Sequence, residues 1–266
     1  MYNKANIIDR FRLDGKVALV TGGSGYYGKQ MVIALADAGA VVCCASRGLA
    51  KCKEFTDELN KMGYDKVYAD SYDQEDEESI KALLERMIER NGKVDILVNN
   101  SVLRPMNEYD GPLEDFAKSM AVNATGLFAI TRAFGNHMEK NGGGSIINIG
   151  SYMGICGSNP YLYEGHPEMD AIDAPDYFFH KGGMLNLTRF MAGRYGKSGV
   201  RVNCLNLGGL FNHQHPDFLE KYAKMTYLGR MADETDIQGV LVFLASDASA
   251  YITGAGINVD GGYTAR

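Results

Sequence analysis

The chain has 266 residues, 45% of them hydrophobic, so it can bury one sizeable core, and we expect a single α/β domain over residues 1–266. Its formal net charge of −6 excludes a broad attraction for nucleic acid or anionic membranes, and no apolar run approaches the about 20 residues that a bilayer-spanning helix needs. The five cysteines form no CxxC pair, which favours reduced thiols, so we expect a cytoplasmic protein whose partner is a small-molecule substrate.

Short apolar runs alternate with longer amphipathic stretches along the chain. The predicted strands are residues 17–22, 41–46, a run ending at Asp70, 94–100, 145–150 and 200–206. Helical spacing of apolar residues follows the first, third and fifth runs. Because the strands are almost continuously apolar, both faces of their sheet should be covered by helices. This pattern predicts a doubly wound α/β fold with a parallel sheet, in which ligands bind beyond the carboxyl ends of the strands.

A glycine-rich segment, TGGSGYYG, follows the first predicted strand and precedes a predicted helix. Glycines let the backbone turn tightly and approach a pyrophosphate, whose charge the helix N-terminus attracts. The segment alone is also compatible with a flexible turn, but its position between strand and helix favours a dinucleotide site. From this loop we assign the following residues to cofactor binding: Thr21, Gly22, Gly25, Tyr26, Tyr27 and Gly28.

The ends of the second and third strands bear on cofactor choice. An acidic residue at the end of the second strand would bind the ribose hydroxyl of NAD, but the chain has Ser46 and Arg47 there. These side chains suit a 2′-phosphate, so NADP(H) is favoured and NAD(H) stays possible, although Arg47 also fits an ordinary exposed position. Asp70 is a candidate contact for the adenine amino group, or an aspartate at a turn or helix start.

Tyr177 and Lys181 are four residues apart at the start of a predicted helix, so their side chains share one face. A free tyrosine has a pKa near 10, and an adjacent ammonium lowers it, which makes the phenol an effective proton shuttle. Ser151 ends a strand and can hydrogen-bond the reacting oxygen, while Asn123 is a candidate to hold Lys181 through a water. Taken singly, each of these four residues is also compatible with an ordinary surface position or a helix cap.

Taken in order, these motifs resemble those of the short-chain dehydrogenase/reductases over essentially the whole chain. The resemblance includes Asn99-Asn100 after the fourth strand and the ending INVDGGY. It implies a Rossmann-type sheet of about seven strands, hydride transfer at a nicotinamide, and a homodimer or homotetramer. It also implies a catalytic tetrad of Asn123, Ser151, Tyr177 and Lys181, with further cofactor contacts from Asn100, Gly208, Leu210 and Asn212 as well as from Tyr177 and Lys181.

The chain also departs from the family pattern. Its loop spacing, TGxxGxxG, resembles the extended branch that includes nucleotide-sugar epimerases, whereas the short tail and its VDGG ending favour the short branch. Ser101-Val102 and Leu207-Gly208-Gly209 replace the usual Ala-Gly and Pro-Gly. We therefore expect an NAD(P)-dependent oxidoreductase acting on a sugar- or polyol-like secondary alcohol or ketone. The alternatives are a nucleotide-sugar epimerase or dehydratase, and a non-catalytic dinucleotide-binding regulatory protein.

An acidic and aromatic insertion, residues 152–176, separates Ser151 from Tyr177 and is longer than the family usually has. Both of its ends lie next to side chains that must reach the reacting oxygen, so we expect a substrate lid that selects a polyhydroxylated molecule. The alternative is packing on a neighbouring subunit. A metal site formed by carboxylates of the insertion and His166 with His213 and His215 is an alternative, but no ligand pair has helical metal spacing, and we predict no metal.

Overall fold

A parallel sheet lies at the centre of the structure, a computed structural model that describes residues 6–165 and 174–265. Its seven strands are β1 (Val17–Thr21), β2 (Val41–Ser46), β3 (Val67–Ser71), β4 (Ile96–Asn99), β5 (Gly144–Ser151), β6 (Val200–Leu207) and β7 (Gly256–Val259). They are ordered β3-β2-β1-β4-β5-β6-β7, and every neighbouring pair is parallel. The predicted doubly wound fold is confirmed.

Helices cover both faces of this sheet. They are α1 (Tyr26–Asp37), α2 (Leu49–Lys61), α3 (Glu77–Asn91), α4 (Leu113–Met120), α5 (Leu127–Lys140), α6 (Pro175–Tyr195), α7 (Pro216–Met225) and α8 (Gln238–Ala245), and a π-helical segment (Ala121–Gly126) joins α4 to α5. Alternate residues of β1 enter two separate cores: Ala18 and Val20 pack with α1, α2 and α8, whereas Val17 and Leu19 pack with α3, α5 and α6. Burial on both faces explains why the strands are so uniformly apolar.

The strand order reverses beside β1, which has β2 on one side and β4 on the other. At such a switch point the loops after the two strands diverge and leave a crevice at their carboxyl ends. The six predicted strands are confirmed, with bounds shifted by up to two residues. Every helix in the described ranges is too short or too polar to span a membrane.

Buried amide side chains fix α6 on the sheet. The Asn148 side chain on β5 donates to Thr188 of α6 at 2.9 Å, and Asn99 at the end of β4 donates to Asn148 at 2.8 Å. A side chain on Gly154 would place its Cβ 2.6 Å from the Lys181 carbonyl oxygen, so the segment after β5 packs directly on the α6 backbone. These contacts hold the start of α6 beside the carboxyl end of β5.

Candidate active site

A cavity of about 880 Å³ opens at the carboxyl ends of β1, β4, β5 and β6. It is lined by most of the residues that the sequence singles out: Gly22, Gly25, Tyr26, Tyr27, Gly28, Ser46, Arg47, Asn100, Ser151, Tyr177, Lys181, Gly208, Leu210 and Asn212. Three others, namely Thr21, Asp70 and Asn123, lie outside its wall. The structure therefore brings the glycine loop and the Tyr177–Lys181 pair into one space.

The glycine loop has the geometry that a pyrophosphate requires. Gly22 has a φ of 63°, in the left-handed region that favours glycine. A Cβ on Gly28 would lie 2.2 Å from the Gly22 carbonyl oxygen, so only glycine allows the close turn. Gly25 precedes α1 without any side-chain cap, which leaves the first N–H groups of the helix available to an anion. The loop fits the pyrophosphate of a dinucleotide.

Thr21 supports the loop from beneath. Its buried hydroxyl donates to the Val98 carbonyl at 3.1 Å and accepts from the backbone N–H groups of Asn100 and Ser101 at 2.9 and 3.0 Å. The Asn100 amide in turn donates to the carbonyl of Gly22 at 3.1 Å. Thr21 thus joins the loops after β1 and β4, and a direct contact of Thr21 with the cofactor stays a prediction.

The cavity is positively charged near the end of β2. Ser46 and Arg47 lie in its wall, together with Lys51 of α2, which the sequence analysis missed. In the described parts of the chain, no carboxylate lies within ion-pair distance of Arg47 or Lys51. The α2 N-terminus at Gly48 also lacks a side-chain cap. This corner suits an additional phosphate.

Asp70 does not reach the cavity, because Arg86 of α3 holds its carboxylate at 2.8 Å. Asp73, just beyond β3, lies in the cavity wall in its place. The position of Asp70 at the end of a strand suggested a ligand contact, but an arginine that follows sixteen residues later makes an ion pair with it.

Tyr177 lies in the first turn of α6, and Lys181 lies one turn later. The Lys181 ammonium is buried, donates to the Ile149 carbonyl of β5 at 2.6 Å, and lies 5.6 Å from the centroid of the Tyr177 ring. Ser151, at the end of β5, lies in the same wall. A phenol, a cation and a hydroxyl therefore lie in one part of the cavity wall.

Charge makes the phenol of Tyr177 more acidic than usual. Burial alone would raise its pKa, but the positive charges of Lys181 and Arg104, aided by hydrogen bonding from Ser151, outweigh that effect and lower the pKa below the ordinary value. Burial also lowers the pKa of Lys181, while attraction to Tyr177 opposes that change. With its pKa lowered, the phenol of Tyr177 suits proton transfer better than a free tyrosine does.

Arg104, in the loop after β4, is the functional candidate that the sequence analysis missed. Its guanidinium carbon lies 4.0 Å from the centroid of the Tyr177 ring, and the residue forms part of the cavity wall. An isolated arginine in a predicted loop carries no periodic or motif signal, so only the fold reveals its proximity to Tyr177.

Asn123 is buried in the π-helical segment. Its amide donates to the Leu103 carbonyl at 2.6 Å and accepts from the Leu103 N–H at 2.9 Å. It thereby fixes the loop that carries Arg104. A water-mediated contact of Asn123 with Lys181 stays a prediction.

The first half of the insertion forms part of the wall. Tyr152, Met153 and Tyr163 line the cavity beside Phe218 and Tyr222 of α7. By contrast, Asp176 is buried outside the wall, and the segment with His166, Glu168, Asp170 and Asp173 lies outside the described residues. The described part of the insertion thus contributes two tyrosines and a methionine to the wall, and the phenol hydroxyls are its polar side-chain groups.

The two histidines considered as metal ligands have other contacts. His213 packs on Phe211 with ring centroids 5.0 Å apart, and His215 caps α7 by accepting from the Asp217 N–H at 3.3 Å. Across residues 6–165 and 174–265, no group of three histidine, cysteine or acidic side chains is placed to hold a metal.

Comparison with known proteins gives consistent matches over nearly the full chain. A family model described as enoyl-(acyl carrier protein) reductase matches residues 27–264. Galactitol 2-dehydrogenase (L-tagatose-forming) of Cereibacter sphaeroides is 33% identical, with 96% of this chain and 97% of that protein covered. The solved gluconate 5-dehydrogenase of Burkholderia cenocepacia, in complex with NADP and tartrate, has a TM-score of 0.88 at 28% identity and covers 98% of this chain and 100% of its own.

A 7α-hydroxysteroid dehydrogenase complexed with NADH and 7-oxo glycochenodeoxycholic acid superposes with a TM-score of 0.85 at 29% identity, covering 98% of each chain. Related folds thus serve substrates of different polarity, so the cavity of each protein must decide its own substrate. The family match and the convergence of glycine loop, serine, tyrosine and lysine show that this chain belongs to the short-chain dehydrogenase/reductase family and is an NAD(P)-dependent oxidoreductase.

Proposed function

We propose that the protein interconverts a secondary alcohol and a ketone on a sugar- or polyol-like molecule, with NADP(H) as its preferred dinucleotide. The observation that carries this proposal is the position of Tyr177, with the Lys181 ammonium 5.6 Å from its ring centroid, in the same cavity as Ser151 and the glycine loop. The galactitol and gluconate dehydrogenases support the choice of a polyhydroxylated substrate.

Three residues of the chain have separate roles in substrate orientation and proton transfer. When bound, the nicotinamide supplies or accepts the hydride. Ser151 donates a hydrogen bond to the reacting oxygen and so orients the substrate. The Tyr177 phenolate accepts the hydroxyl proton during oxidation, and the phenol returns it during reduction. Lys181 stabilises the phenolate by its charge, and its hydrogen bond to Ile149 fixes that charge in place.

The test is turnover of a panel of polyols, sugar acids and apolar ketones, followed by the near-ultraviolet absorbance of reduced nicotinamide. We expect net oxidation of one or more polyhydroxylated substrates and identification of the ketone as product. An epimerised product without net cofactor change would instead favour an epimerase, and no turnover with NADP(H) or NAD(H) would contradict the proposal.

The positive corner at the end of β2 predicts the cofactor preference. We expect kcat/KM for NADP(H) to exceed that for NAD(H), and Arg47→Ala to lower the NADP(H) value about tenfold to a hundredfold while the NAD(H) value changes little. A hydrogen bond between charged groups contributes about 1.5–3 kcal/mol, which sets this range. Lys53→Ala removes an exposed cation of α2 that lies outside the wall and is the control. A wild-type preference for NAD(H) would disprove the assignment.

We propose that the insertion 152–176 forms a lid over the substrate. Tyr163 is buried in the cavity wall, whereas Tyr161 lies outside it and is 41% exposed. Tyr163→Phe should therefore raise KM for the best polyol about three- to tenfold, as expected for the loss of one hydrogen bond of about 1 kcal/mol, and Tyr161→Phe should not. Equal KM values in both variants, or a smaller oligomer by light scattering, would favour the subunit-contact alternative.

We also propose a homodimer or homotetramer in the cytoplasm. Large apolar side chains lie exposed on neighbouring helices, among them Phe128 of α5 with Phe179 and Phe190 of α6. Such a patch is typical of a contact surface.

A further inference from the structure

Arg104 places a positive charge at the reacting end of the cavity. Its guanidinium carbon is 4.0 Å from the Tyr177 ring centroid, and its residue is exposed to the open space. A guanidinium has five N–H donors in a rigid plane. A contact with the phenol of Tyr177 occupies only some of these donors. Within the described residues, the structure shows no carboxylate that occupies the remaining donors, and they face the cavity that a ligand would enter.

Within residues 6–165 and 174–265, no acidic side chain forms an ion pair with this guanidinium. Arg12, Arg86, Arg132, Arg194 and Arg230 all form ion pairs with carboxylates, whereas no carboxylate of the described residues lies within ion-pair distance of Arg104. Among the described residues of the cavity wall, the charged ones are Arg47, Lys51, Asp73, Arg104 and Lys181. The single acid among them, Asp73, follows β3, on the far side of β1 from Tyr177. The described wall at the substrate end therefore carries two basic side chains, Arg104 and Lys181, and no carboxylate.

This charge pattern discriminates between substrate types. An apolar ketone that closes the cavity would leave the guanidinium desolvated and unpaired, which is unfavourable. A neutral polyol would offer it only hydroxyl oxygens. A carboxylate matches the planar guanidinium by two parallel hydrogen bonds, which also fix the orientation of the molecule.

Building on the proposed function, we propose that Arg104 determines substrate specificity and that the substrate is a hydroxy or keto acid of the sugar-acid class. Its carboxylate pairs with Arg104, and this contact holds a secondary carbinol between Ser151 and Tyr177. The acid itself takes no part in the hydride or proton transfer. Asn123 contributes indirectly, because its hydrogen bonds to Leu103 fix the loop on which Arg104 lies.

The test compares pairs of aldonates and alditols of equal carbon number as substrates for the protein saturated with NADP(H) or NAD(H). We expect the best aldonate to exceed its matched alditol in kcat/KM. In Arg104→Ala the acid-to-polyol ratio should fall about tenfold to a hundredfold, the range for loss of a charged hydrogen-bonded pair, and Arg104→Lys should recover part of it. The ratio cancels any general effect of the substitution on the acidity of Tyr177.

Arg90→Ala is the matched control, because Arg90 also lies over a tyrosine ring, 3.9 Å from the Tyr68 centroid, but outside the cavity. Calorimetric titration of the same aldonates and alditols into wild type and Arg104→Ala gives a second readout without turnover. Turnover of alditols with no preference for the acid, or an unchanged ratio in Arg104→Ala, would overturn this inference and leave the proposed function standing. If no aldonate or alditol is either turned over or bound, both this inference and the proposed function are overturned.

Discussion

Tyr177→Phe should lower kcat by about 10²- to 10⁴-fold in both directions, the range typical of a general acid-base group. Only the hydroxyl is lost, because a phenylalanine ring keeps the packing against His180, whose ring centroid lies 5.1 Å away, and against Arg104. Dinucleotide binding should therefore be retained. Steady-state kinetics measure the first effect, and fluorescence titration with the reduced cofactor measures the second.

Tyr251→Phe provides the control, since Tyr251 is fully exposed and lies outside the cavity. If Tyr177→Phe kept more than a few per cent of the wild-type kcat, another group would have to carry the proton. A parallel loss of cofactor binding would indicate that the substitution disturbs the start of α6.

The sheet could be predicted from the sequence because its strands are buried on both faces, and such strands need long apolar runs. β7 was missed because it is a short strand with exposed residues at alternate positions, as the burial of Gly256–Val259 shows. The glycine loop and the Tyr177–Lys181 pair were predictable for a different reason. Their chemistry depends on local spacing, which the chain itself displays.

Contacts between segments that are distant in the sequence could not be predicted in this way. In the sequence, Asp70 has the position of a ligand contact at the end of a strand. In the fold, α3 packs against β3 and places Arg86 in an ion pair with it. In the sequence, Arg104 cannot be distinguished from any other arginine in a loop. In the fold, α6 packs on β5 and places the Tyr177 ring next to the guanidinium. Asn123 was selected by its place in the family order, and the structure adds its hydrogen bonds to Leu103. In each case the partner is chosen by tertiary packing, which local patterns do not encode.

Lys181→Met should shift the pH profile of oxidation as well as its rate. Oxidation needs the phenolate of Tyr177, so the rate is retained at high pH and is lost as the pH falls through the pKa of that group. Removing the ammonium leaves the effect of burial opposed mainly by Arg104, so the pKa of Tyr177 rises. A higher pKa lowers the phenolate fraction at neutral pH, and oxidation there should fall by about 10²-fold or more, the range typical of a lost acid-base contribution.

A purely structural role for Lys181 predicts a different result. Loss of its hydrogen bond would leave the buried Ile149 carbonyl without that donor, at a cost of about 1–3 kcal/mol in stability, and the rate would then fall equally at every pH. Under the electrostatic role, the deficit in kcat/KM narrows as the pH approaches about 10, the ordinary pKa of tyrosine. The pH dependence of kcat/KM for Lys181→Met, measured beside thermal unfolding of the same protein, separates the two. An unmoved inflection would show that Lys181 does not set the acidity of Tyr177.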